Sequence, residues 1–169
     1  MNKARSIFRL RSGLLFALLF TLSFLQAQTG QELPKVFVIG EYEQQYEALL
    51  PEYQRSLLQV CQNDTKKAFQ LWVSLIQEIE AYGKQVGYDL NGLKCWFHVF
   101  FSADGRIRHI AYHLRPTSRN VEEKGLTEFL TGFVQNYSLP VSSTSNYYNY
   151  TSIQFPVIYN LPDSASNGN

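Results

Sequence analysis

The stretch "FHVFFSADGRIRHIAYHLRP", residues 97–116, decides the fold class. Apolar residues crowd both arms, and the Asp104-Gly105 step between them is a strong short-range hairpin signal. "CWFHVFF" and "RIRHIAYHL" therefore read as antiparallel strands, with Pro116 ending the second because it cannot donate to a ladder. All three histidines of the chain, His98, His109 and His113, fall on this hairpin. Their faces depend on the loop. A tight closure on Asp104-Gly105 puts Trp96, His98 and Phe100 on one face with His109, Ala111 and His113. A three-residue loop with a bulge at Gly105 moves the register by one and sends His109 to the opposite face with Val99.

Working outward, the segments before the hairpin are helical. In "EYEQQYEALLPEYQRSLLQVCQ" the residues Tyr42, Tyr46, Leu49, Leu50, Tyr53, Leu57 and Cys61 share one helical face, with a break predicted at Pro51, best housed as the first residue of a new segment. "NDTKKAFQLWVSLIQEIEAYGKQVG" is a second helix, capped by Asn63 or Asp64 and stopped by Gly87. Its stripe is Ala68, Leu71, Trp72, Leu75, Ile76, Ile79 and Tyr82. After the hairpin, "NVEEKGLTEFLTGFVQNYSLP" is a third helix, with Leu126, Phe129, Leu130, Phe133 and Tyr137 on its apolar side. "YYNYTSIQFPVIY" follows as a strand, with Pro156 at its end. The order of helices, hairpin, helix and strand predicts one α+β domain over residues 28–160, without internal repeats or an interdomain linker.

The first residues speak to address. Lys3, Arg5, Arg9 and Arg11 precede an apolar run from Gly13 to Leu25, which is shorter than the roughly 20 residues a membrane span needs and has the length of a secretory leader. Ala27 offers a cleavage point, so residues 1–27 are expected to be a signal peptide and the chain secreted or periplasmic, with no stable membrane span after cleavage; a retained N-terminal anchor is the alternative. The leader holds four of the 15 basic residues and none of the 14 acids, which leaves the remainder at net −3. A weakly acidic domain lacks the electrostatic footprint of a nucleic-acid binder. Cys61 and Cys95 form an even pair in an oxidising compartment, which raises a disulfide, with two buried free thiols as the alternative. Residues 161–169, without apolar anchors, are expected to be a mobile tail.

From Gly92 onward, "NGLKCWFHVFF", "ADGRIRHIAYHL", "EKGLTEFLTGFVQNY" and "YNYTSIQFPVIY" resemble the C-terminal domain of the TonB energy-transducer family in their order and in the closing apolar-Pro-apolar step. The resemblance implies helices packed on a three-stranded antiparallel sheet. It also implies that a partner pairs with the edge of the last strand, here at Tyr148, Tyr150, Ser152 and Gln154. The family's Tyr-Pro step before its first domain helix and its Pro-rich linker are missing, so the resemblance does not extend to energy transduction. A cystatin-like or NTF2-like helix on a curved sheet is the other arrangement, and "KVFVIG" would supply its fourth strand.

Two candidate sites emerge. His98, His109 and His113 could hold zinc and leave a position open for water, the basis of a small exported metal-dependent hydrolase. No Asp or Glu lies on either hairpin arm to orient them, so metal ligation is the weaker of the two readings. "SSTSNYYNYT" combines rigid aromatic area with small polar groups, the composition of a recognition surface. Either Tyr147, Tyr148 and Tyr150 form a partner-binding surface with Ser152 and Gln154, or Tyr148 and Tyr150 face the core and only Tyr147 is exposed. There is no nucleophile elbow, phosphate loop or dinucleotide fingerprint, so no cofactor is expected. The leading expectation is a non-enzymatic binding module recognising a partner protein or cell-envelope polymer.

Overall fold

A computed structural model of the chain describes residues 32–158. The expected leader, residues 1–27, and tail, residues 161–169, lie outside the described residues. In chain order the elements are β1 (Val36–Val38), α1 (Glu43–Leu49), a 3-10 turn (Leu50–Glu52), β2 (Arg55–Ser56), α2 (Leu57–Val60), α3 (Thr65–Val86), β3 (Lys94–Phe101), β4 (Ile107–Leu114), α4 (Glu123–Asn136) and β5 (Tyr147–Gln154).

The hairpin is β3 and β4, antiparallel as its alternation requires. Gly105 adopts φ +87°, and a Cβ on it would collide with the carbonyl oxygens of Leu139 and Val141 that pack on the turn. Only glycine fits both demands. The ladder slips between Phe100, opposite His109, and Phe101, opposite Ile107, leaving Arg108 as the extra residue. Downstream of that bulge the first of the two predicted alternations holds: Trp96 faces His113, His98 faces Ala111 and Phe100 faces His109.

The expected three-stranded antiparallel sheet is corrected to a five-stranded mixed one, in the order β1-β4-β3-β5-β2. β5 pairs antiparallel with β3 over its full length, whereas β1 lies parallel to β4 and β2 parallel to β5. β1 lies within "KVFVIG", the segment the alternative arrangement offers as a fourth strand, whereas β2 has two residues, too few for a period-2 pattern to register in sequence.

The helices also divide between the faces. One face presents Cys95, Phe97, Val99 and Phe101 of β3 with Tyr112 and Ile153, and α3 and α4 cover it through Trp72, Leu75, Ile76, Ile79, Leu126, Leu130 and Phe133. Each such side chain, taken from water, contributes roughly 1.5–3 kcal/mol, so this is the main core. The opposite face holds a smaller cluster in which Tyr42, Tyr46, Leu49 and Tyr53 pack on Phe37, Phe100 and Ala111. Pro51 is the second residue of the 3-10 turn, one place after the start expected for it, where its fixed φ is still accommodated. The chain then turns through β2, so Leu57 and Cys61 enter the main core instead of continuing the face of Tyr46 and Leu49. Asp64 caps α3 by accepting from the Lys67 amide at 2.9 Å, and Gly87 ends it at φ 74°. Among the described residues no helix is long and apolar enough to cross a membrane.

Candidate functional site

β5 carries the predicted recognition residues, and its alternation sorts them. Tyr147 is wholly buried, stacked on Phe101 at 4.9 Å, and burial pushes its hydroxyl above the ordinary tyrosine range. It is a core residue, not a contact residue. Tyr148, Tyr150, Ser152 and Gln154 lie on the opposite face from it. Tyr148 is half-buried across from Phe100. Tyr150 is 51% exposed and stacks on Trp96, itself 38% exposed, with ring centroids 5.5 Å apart and planes at 20°. Ser152 accepts a hydrogen bond from Arg115 Nη1 at 3.2 Å, and Gln154 is exposed opposite Lys94.

The backbone of β5 sorts the same way. The Phe155 amide donates to Leu93 O at 2.9 Å, on the β3 side. In an extended strand alternate residues turn their amide and carbonyl the same way. Asn149, Thr151 and Ile153 therefore bond to β3, while Tyr148, Tyr150, Ser152 and Gln154 direct theirs away from it. β2 reaches only Tyr147 and Tyr148. Among the described residues, no strand pairs with the outward groups of Tyr150, Ser152 and Gln154.

A trough of about 120 Å³ runs beside that open edge, lined by Phe69, Trp72, Val73 and Ile76 of α3, by Thr151 to Gln154, and by Val157. Phe69 is 42% exposed at its rim. At the β2 end, Arg55 donates to Ser143 Oγ and Thr144 Oγ1, each at 3.3 Å. Toward Val157, Glu80 accepts from that residue's amide at 3.1 Å and from Lys84, and these bonds hold its carboxyl below the usual range against the opposing effect of burial. The sequence reading missed this trough. Its signal was the second apolar row Phe69, Trp72, Val73, Ile76 at i, i+3, i+4 and i+7, which makes the α3 stripe wider than a single packing contact needs.

The histidines share a face but serve different neighbours. His98 is buried, its Nδ1 2.8 Å from Tyr46 Oη, and Nε2 is buried with no partner among the described residues. Burial lowers its pKa to about 4, so at neutral pH the imidazole is uncharged. His109 Nδ1 lies 2.9 Å from Pro34 O, and His113 is exposed across from Trp96. Among the described residues no three His, Cys, Asp or Glu are grouped to hold a metal ion. The common face that zinc ligation needed is thus present as a register, but His98 and His109 bond to Tyr46 and Pro34 rather than converging with His113.

Cys61 and Cys95 are both free and buried, the second of the two alternatives their sequence leaves open. Cys95 sits opposite Ile153, at the far end of β3 from Phe101. Cys61 follows α2, which directly continues β2, and β2 pairs with β5 at Tyr147 and Tyr148, the end of β5 paired with Phe101. Six strand residues at about 3.3 Å each separate those two ends, well past disulfide reach.

No family model matches the chain, and neither a curated protein nor a solved structure is similar to it at a significant level.

Proposed function

We propose that this chain is an exported, non-enzymatic binding module with a TonB C-terminal-like sheet, which recognises a partner protein by adding an extended segment of it to β5. One observation carries the reading. The outward amides and carbonyls of Tyr150, Ser152 and Gln154 form a strand-length row of donors and acceptors with no partner strand among the described residues, the surface that β-augmentation uses. The order of β3, β4, α4 and β5, with β3 between the other two strands, supports the family likeness.

Replacing Ser152 by proline tests it, because the amide removed faces away from β3 and costs the sheet no internal bond. Partners captured by the full chain from a cell-envelope extract are expected to be lost with Ser152→Pro and kept with Ser152→Ala. Equal capture by both would count against the edge.

An envelope polymer is the second reading, favoured by the exposed Trp96–Tyr150 stack, since paired aromatic rings beside hydroxyl and amide groups suit a sugar chain. Capture that survives Ser152→Pro but fails with Trp96→Ala would select it.

A further inference from the structure

The open edge is two-sided, and its sides differ in chemistry. Residues of an added strand alternate between the faces of the sheet, one set level with Thr151 and Ile153 and the other level with Tyr150, Ser152 and Gln154. The first set would meet Phe69, Trp72, Val73 and Ile76 across the trough. The second would lie beside two cations. Arg115 reaches Ser152, and Lys94 shares its face with Trp96 opposite Gln154. Neither cation is ion-paired with a carboxylate among the described residues. No acidic residue stands on β3, β4 or β5.

From this juxtaposition we infer that the segment recognised is an extended peptide that alternates apolar and acidic residues, the apolar ones entering the α3 trough and the acidic ones meeting Arg115 and Lys94. The inference rests on the edge reading and adds its specificity. Its length follows from the edge. The open stretch from Asn149 to Gln154 matches about six residues, roughly 20 Å of strand, between the β2 pairing at Tyr147 and Tyr148 and the end of β5. The row of backbone donors and acceptors selects an extended chain over a helix or a lipid, neither of which has groups to pair with it. Partner acids beside Arg115 would gain from a guanidinium already positioned by Ser152, and the gain would weaken with added salt.

Three capped hexapeptides test this against the full chain: alternating Val-Asp, alternating Val-Lys, and alternating Asn-Asp. Trp72 lies in the trough, so its fluorescence reports occupancy, with titration calorimetry as the second readout. Val-Asp is expected to bind at least tenfold tighter than either other peptide. Phe69→Asp, at the rim of the trough, is expected to weaken Val-Asp at least tenfold in a variant that still melts cooperatively. Arg115→Glu is expected to reverse the order of Val-Asp and Val-Lys. Equal binding of all three peptides, unmoved by both substitutions but abolished by Ser152→Pro, would overturn the alternation and leave the edge reading standing. Binding of none of them at millimolar concentration, with protein partners still captured in a manner insensitive to Ser152→Pro, would overturn both.

Discussion

Tyr46 Oη and His98 Nδ1 meet at 2.8 Å beneath α1, and this contact ties the helix on the minor face to the centre of the sheet. It leaves His98 half satisfied, because Nε2 is buried without a partner among the described residues. A buried imidazole in that position favours its neutral form.

The stability of the chain will therefore fall on mild acidification. The folded-state pKa of His98 is about 4 against an ordinary value of 6.5, so between those values the unfolded chain binds a proton that the folded chain refuses. Stability rises with pH across that window, by on the order of 3 kcal/mol in all. Urea denaturation at pH 4.5 and pH 7 measures the slope. His98→Leu is expected to remove most of the difference, and a slope unchanged in that variant would contradict the assignment.

The Tyr46–His98 bond itself is testable as a coupling. Tyr46→Phe alone will cost about 1 kcal/mol by leaving both imidazole nitrogens unpaired, while the double variant with His98→Leu will show no additional loss from Tyr46. Simple additivity in a double-mutant cycle would mean that the contact carries no energy.

Gly105 fixes the hairpin. Gly105→Ala combines a left-handed φ with a collision against two carbonyl oxygens, and is expected to destabilise the chain by about 2–4 kcal/mol. A loss within the few tenths of a kcal/mol typical of surface changes would show that the turn sits elsewhere.

Much of this architecture was legible because its signals are local. Asp64, Gly87, Asp104-Gly105 and Pro51 each act on their own turn of chain, and the structure uses all of them in that way. The period of α3 likewise marked its buried side, and the alternation of β3 and β4 marked which residues share a face, but His98, Phe100 and Ala111 are buried on the second face only because the segment around α1 covers it. What could not be read depends on distant partners. β1 and β2 are strands only because β4 and β5 offer them edges, and Leu57 joins the main core only because β2 redirects the chain. The choice between Tyr147 and its neighbours hung on one register, which the pairing of Phe101 with Tyr147 settles by placing that ring in the core. The trough joins α3 to β5 between Phe69 and Val157, and the second apolar row of α3 marks only one of its walls, since no local pattern shows which strand supplies the other.

Both cysteines are expected to remain thiols. Burial raises each above its ordinary pKa, Cys95 furthest, so neither is a ready nucleophile in the folded chain. Thiol titration without reductant will find two reactive groups after denaturation and slow reaction before it. Finding none after denaturation would mean that the two ends of β3 are not where the fold places them.

Amide hydrogen exchange along β5 bears most directly on edge recognition. In the free chain the amides of Asn149, Thr151 and Ile153, bonded to β3, will exchange slowly, and those of Tyr150, Ser152 and Gln154 quickly. With the alternating Val-Asp hexapeptide at saturation, the second set will become protected as the first already is. Rapid exchange at Tyr150, Ser152 and Gln154 with the peptide fully bound would contradict recognition through this edge.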